Sequence, residues 1–261
     1  MTHASDLHVE RIGSGPPLLL IHGIGSRAGV WKPVVARLAR EREVFAIDLP
    51  GFASSPPLPA GTSSNVHTLT DAVEAWIRKT GLDRPRVAGN SLGGAISLEL
   101  ARRNAVHSAA ALSPAGFWIP IERKYAQSVL RSARSIGRRV RPFAPRLARS
   151  RTLRSLLAGP FFARPSRLDV DDVLLDLTAL LDAPAFDETL DSAQLYRFAR
   201  GEEIHVPVTI AWGTRDLLLL PQQAWRAKRL LPNARHVPLH GCGHVPMADD
   251  PEAVANVLLL H

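Results

Sequence analysis

The chain has 261 residues, 46% hydrophobic and 21% charged, with a formal net charge of +8. That is enough for one sizeable core plus an inserted module, and the balance excludes a disordered or fibrous protein. Cys242 is the single cysteine, which excludes an intrachain disulfide framework and a multi-cysteine metal site and gives the expectation of a reducing, cytoplasmic setting.

Met1–Pro17 carries acids and histidines and no apolar core of the signal-peptide kind. The longest apolar runs, Leu18–Ile21 and Leu217–Leu220, fall far short of the roughly 18 residues that a membrane span needs. Weak alternation over Leu7–Ile12 predicts a strand, followed by a Gly-Ser-Gly-Pro-Pro turn. Leu18–Ile21 is continuously apolar, the mark of a strand buried on both faces. Helical spacing follows over Val30–Arg40, then a second buried strand over Val44–Ile47, closed by Asp48-Leu49-Pro50-Gly51. Thr70–Thr80 reads as a helix with Val73, Trp76 and Ile77 on one face.

Arg86–Gly89 reads as a strand running straight into Ser91 and a helix over Leu92–Arg103. Ala109–Leu112, Val208–Trp212 and His236–Leu239 read as further strands; Gln222–Leu231 and Glu252–Leu260 read as helices. Strands alternating with helices predict an α/β fold, a mostly parallel central sheet with helices on both faces. The interval from Phe117 to His205 breaks the alternation. It shows only helical spacing (Val129, Leu130, Ala133, Ile136 and Val140), interrupted at Pro142, Pro145, Pro160 and Pro165. The expected organisation is therefore a core over 1–116, a helical insertion over 117–205, and the rest of the core over 206–261.

Gly89-Asn90-Ser91-Leu92-Gly93 sits between a strand and a helix, where a Gly-x-Ser-x-Gly pattern has a mechanical meaning. A serine on so tight a turn projects its hydroxyl outward, and the positions two before and two after it must be small. A serine hydroxyl needs a base, and the base needs an orienting acid. His244, in His240-Gly241-Cys242-Gly243-His244 after the last strand, is the candidate base, and Asp216, after the preceding strand, is the candidate acid. Ser113–Pro120 offers no competing carboxylate. His22 is expected to fix its glycine-rich loop, Asp48 and His240 to be structural, and Cys242 to fill its loop. The candidate oxyanion donors are the backbone N–H groups of Leu92 and Ile24.

The chain resembles the α/β-hydrolase fold superfamily at Leu19–Gly23, Asp48–Phe52, Gly89–Gly94, Gly213–Asp216 and Gly241–His244. The resemblance implies a serine hydrolase whose helical insertion caps the active site. Ala53 departs from the glycine that relatives often carry after Pro-Gly-Phe, and serine rather than aspartate as nucleophile argues against haloalkane dehalogenase or epoxide hydrolase chemistry. The expected activity is cleavage of a carboxylic ester or thioester in a small-molecule acyl substrate, without cofactor or metal. Two rivals remain: a carbon–carbon bond hydrolase acting on a diketone with the same triad, and a non-catalytic acyl-ligand-binding protein on the same fold.

Charge is unevenly placed. Phe117–Arg167 holds 13 Lys and Arg against Glu122 alone, whereas Leu168–His205 holds ten acids against Arg197 and Arg200. The arginines from Arg131 to Arg154 are candidate contacts for an acidic carrier protein or an anionic lipid surface. Nucleic acid is not expected, since no aromatic residues interleave with them. Phe117, Trp118, Phe143, Phe161, Phe162, Leu180 and Phe186 are expected to form the insertion's own core, with an acyl or aryl pocket as the alternative.

Overall fold

Seven strands assemble into one sheet in a computed structural model that describes residues 6–261; the first five residues of the Met1–Pro17 segment lie outside it. The strands are β1 (Val9–Ile12), β2 (Pro17–Ile21), β3 (Glu43–Ile47), β4 (Arg86–Asn90), β5 (Ser108–Leu112), β6 (Val208–Gly213) and β7 (Arg235–Leu239). Their order across the sheet is β1-β3-β2-β4-β5-β6-β7. β1 runs antiparallel to β3, with Val9 opposite Ile47, and every other pair is parallel.

The helices, in chain order, begin with α1 (Lys32–Leu38), α2 (Val66–Lys79) and α3 (Leu92–Arg102). Between β5 and β6 come α4 (Pro120–Val140), α5 (Ala144–Arg149), α6 (Arg151–Ala158), α7 (Val170–Asp182) and α8 (Phe186–Ser192). After β6 follow α9 (Gln222–Leu230), α10 (Pro246–Asp249) and α11 (Pro251–Leu259).

Strand residues alternate between two cores, as a period of two requires. Leu19, Ile21, Phe45, Ile47 and Val87 pack with Leu69, Val73 and Trp76 of α2 and with Ile96 and Leu100 of α3. Leu18, Leu20, Val44, Ala46 and Ala88 pack with Val34 and Leu38 of α1 and with Val254 and Leu258 of α11. Helices thus cover both faces, and this is why the central strands are apolar at every position rather than at alternate ones.

Two boundaries differ from expectation for identifiable reasons. α2 begins at Val66, four residues before the apolar stripe suggests. Asn65 Oδ1 accepts from the N–H groups of His67 and Thr68, and Thr68 Oγ1 accepts from the Asn65 N–H, a reciprocal cap that starts the helix early. α10 was not expected; it is a single turn opened by Pro246, too short to show periodicity.

From Leu112 to Val208 the chain forms only helices and turns. The prolines act as punctuation: Pro142 follows α4, Pro145 lies in the first turn of α5, and Pro160 follows α6. Phe117, Trp118 and Phe186 are buried, yet Trp118 lines the cavity beside Ser91 and Phe117 packs on Trp212 of β6 rather than within a separate core, and Phe143 is 63% exposed. It lies in the Arg141–Phe143 turn between α4 and α5, where no helix face covers it.

Among the described residues the two oppositely charged stretches meet at three ion pairs. Arg131 bonds Asp191, Arg134 bonds Asp187 at 2.6 Å, and Arg141 bonds Asp182 through both oxygens at 2.6 and 2.7 Å. Asp172 and Asp176 of α7 reach across to the core, meeting Arg27 and Lys32.

Candidate active site

Ser91 joins β4 to α3 with φ 57° and ψ −113°, a conformation that non-glycine residues seldom adopt. The turn is held from below: the Ser91 N–H donates to the Leu112 carbonyl at the end of β5, and the Ser91 carbonyl accepts from Ala95 and Ala115. A Cβ on Gly93 would lie against the carbonyl oxygens of Ile21 and His22, and one on Gly89 against the Gly93 carbonyl, all well inside 3.0 Å. Backbone cannot yield as a flexible side chain can, so glycine at both places is a packing requirement.

His244 and Asp216 meet. His244 Nδ1 lies 2.9 Å from Asp216 Oδ2, and both residues are almost fully buried. The other Asp216 oxygen accepts from the N–H groups of Leu218 and Leu219 at 2.9 and 2.8 Å, which fixes the carboxylate plane. Among the described residues no hydrogen bond joins Ser91 Oγ to His244.

Two residues that the sequence reading passed over organise the histidine loop. Asn90, beside the serine, donates from Nδ2 to the His244 carbonyl at 2.9 Å and to the Leu112 carbonyl at 3.1 Å, tying the loop to the turn. The buried Asp249 carboxylate, in α10, accepts from the N–H groups of Gly243, Ala163 and Arg164 at 2.8 to 2.9 Å. Val245 N–H adds a bond to the Phe161 carbonyl. The loop bearing His244 is therefore stitched to residues 161–164 of the helical insertion. Cys242 is buried, and desolvation pushes its thiol up to about 11, so it does not offer a thiolate near neutrality. His240 is exposed.

His22 is buried, and loss of solvent lowers its pKa, against the opposing pull of Asp48 and the Gly23 carbonyl. Neutral, it donates from Nδ1 to the Gly23 carbonyl at 2.6 Å and accepts at Nε2 from the Leu49 N–H at 2.9 Å. Asp48 accepts from the N–H groups of Ala28 and Ser54. Both residues shape the loop that carries Ile24. Leu92 is the first residue of α3, so its N–H has no carbonyl of its own helix to meet.

Ser91, Ile24 and Leu92 line one enclosed cavity of about 50 Å³, roofed by Trp118, Ala126 and Leu130 of the insertion. That space is far below the roughly 300–1,000 Å³ of a typical small-molecule site. Among the described residues no group of three or more His, Cys, Asp or Glu is placed to hold a metal ion, and no helix is long and apolar enough to cross a membrane.

Known proteins share this fold. The alpha/beta hydrolase fold family matches residues 16–251, and the chain belongs to that family as a hydrolase. It is 26% identical over 257 residues to the uncharacterized protein Rv2715 of Mycobacterium tuberculosis, covering 94% of this chain and 75% of that one. It is 26% identical over 260 residues to Lipase 3 of Moraxella sp., covering 93% and 76%. Among solved structures it is similar to a membrane phospholipase A described as a bacterial virulence factor, with a TM-score of 0.77, 27% identity, and coverage of 98% and 86%.

Proposed function

We propose that the chain is a serine hydrolase that cleaves a carboxylic ester or thioester, with Ser91 as nucleophile, His244 as general base and Asp216 as its orienting acid. The observation that carries this reading is the 2.9 Å contact of His244 Nδ1 with Asp216 Oδ2, beside a serine held on a strained turn. With Nδ1 donating to Asp216, Nε2 is left as the basic nitrogen. The Ser91–His244 contact then closes in the substrate complex, as such contacts commonly do.

His244 Nε2 takes the Ser91 proton while Oγ bonds to the carbonyl carbon. The carbonyl electron pair moves onto oxygen, where the Ile24 and Leu92 N–H groups receive it, helped by the positive end of α3. As the intermediate collapses, the bond to the leaving alcohol or thiol breaks, and that group takes the proton from His244. Water, deprotonated by the same nitrogen, attacks the acyl-enzyme; the Ser91–acyl bond breaks as Oγ takes that proton back from His244, and the free acid departs. Residues 117–205 act as the cap that closes over this chemistry. A lipase and a phospholipase among its relatives support an ester substrate.

The test is hydrolysis of para-nitrophenyl acyl esters, with fluorophosphonate labelling followed by intact mass. Wild type is expected to turn over and take up a single adduct, whereas Ser91→Ala does neither. Turnover that survives Ser91→Ala overturns the reading.

A further inference from the structure

Six side chains with polar atoms line the cavity: Ser91, Trp118, Arg123, Gln127, Thr189 and Tyr196. Three of them have partners in the protein. Gln127 Nε2 donates to the Leu190 carbonyl at 2.8 Å, the Thr189 hydroxyl meets the Ser64 hydroxyl at 2.7 Å, and the Tyr196 hydroxyl donates to Glu99 at 3.1 Å. Two others do not. Trp118 Nε1 and Arg123 Nε are buried N–H donors without an acceptor. A buried donor left unpaired costs about 1–3 kcal/mol, and native structures leave few.

The two donors come from one short stretch at the start of α4, five positions apart, and Arg123 is the single charged residue lining the cavity. Its Nη1 donates to the Gln194 carbonyl at 2.6 Å, which holds the side chain in place without neutralising it. The neighbouring carboxylate, Glu122, is engaged elsewhere: it accepts from the Ile119 N–H and pairs with Arg226. Among the described residues no carboxylate lies within ion-pair distance of Arg123. The cavity thus presents one cation and two unfilled donors.

We infer that this end of α4 is a carboxylate subsite, and that the substrate is the half-ester or half-thioester of a dicarboxylic acid. The acyl group's free carboxylate accepts from Arg123 Nε and Trp118 Nε1 while its other end meets Ser91. Val66, Leu130 and Leu190 contribute apolar wall to the same cavity, the surface a methylene chain would meet. This rests on the serine hydrolase reading and adds the class of acid released.

The experiment compares two alkyl fluorophosphonates of matched tail length, one ending in a carboxylate and one in a methyl group, over several lengths. Both report the same displacement of fluoride by Ser91, read as intact mass against time. Hydrogen bonds to a charged group are worth about 1.5–3 kcal/mol, so the carboxylate tail is expected to label wild type at least about tenfold faster at its best length. Without a subsite, burying the carboxylate is a cost and the methyl tail labels faster. Arg123→Gln is expected to abolish the preference, Arg123→Lys to keep part of it, and Trp118→Phe to reduce it.

Equal labelling by the two tails, or a faster methyl tail, in wild type overturns the subsite and leaves the serine hydrolase reading standing. A preference that persists in Arg123→Gln also overturns it. No adduct from either tail on wild type overturns the serine hydrolase reading, and the subsite with it.

Discussion

Ser91, the proposed nucleophile, sits on a backbone conformation that trades stability for placement of its hydroxyl. Its φ of 57° places a Cβ where an L-residue is strained, at about 1–3 kcal/mol for such conformers. Ser91→Gly relieves the strain and removes the hydroxyl together. The expected result is a gain in unfolding free energy of about 1 kcal/mol in urea, with complete loss of fluorophosphonate labelling. A loss of stability would show that the turn is not under tension. Part of this was readable beforehand: small residues at 89 and 93 and a serine at 91 announce the turn from spacing alone. Asn90 and Asp249 were not readable. Asn90 acts on a carbonyl 154 positions away and Asp249 on an N–H 86 positions away, and nothing local in the chain marks either partner.

Elements differ in how much of them the chain order reveals. The central strands and α3 lie within a residue or two of expectation, because burial on both faces leaves an unbroken apolar signature. The insertion was legible as helical and no further, since which arginine meets which aspartate is decided by packing between helices about fifty residues apart. One such contact makes stability depend on pH. Asp176 of α7 meets Arg27 at 2.8 Å, beside the loop that carries Ile24. Burial pushes its carboxyl up to about 6 from an ordinary 3.8, with Arg27 pulling the other way. A carboxyl that titrates higher in the fold than in the unfolded chain holds its proton preferentially in the fold. Its contribution is therefore full at low pH and is lost as pH rises from about 4 to about 6. Thermal melts of wild type and Asp176→Asn across that window are expected to show wild type losing ground to the variant as pH rises. A wild-type advantage that grows with pH would reverse the assignment.

The whole molecule carries a net charge of +8, and the fold decides where it acts. Arginines 131, 134 and 141 are occupied by aspartates of the same insertion, so the basic stretch is not one continuous docking face. Arginines 138, 139, 146, 149 and 151 are exposed, and among the described residues no carboxylate pairs with them. An anionic lipid surface or an acidic carrier protein, if it is a partner, would meet this second group. Vesicles of anionic phospholipid are expected to retain wild type at low salt and release it as ionic strength rises, because exposed charge is screened within about 10 Å at 0.1 M. Replacing the five exposed arginines with glutamine is expected to abolish retention. Replacing the three paired ones lowers the melting temperature instead, and retention lost equally in both sets would overturn the division.

The contacts of Asp249 set a rule for anyone who would re-engineer this chain by exchanging parts. Residues 117–205 look like a cassette, entering after one strand and leaving before the next. Yet two of the three amides on that carboxylate belong to the cassette, and the third immediately precedes His244. A graft that trades the insertion for a relative's without a matching 161–164 segment would also unseat the loop that carries His244. The seam for a working chimera therefore runs through α10 as well as through the two strand ends.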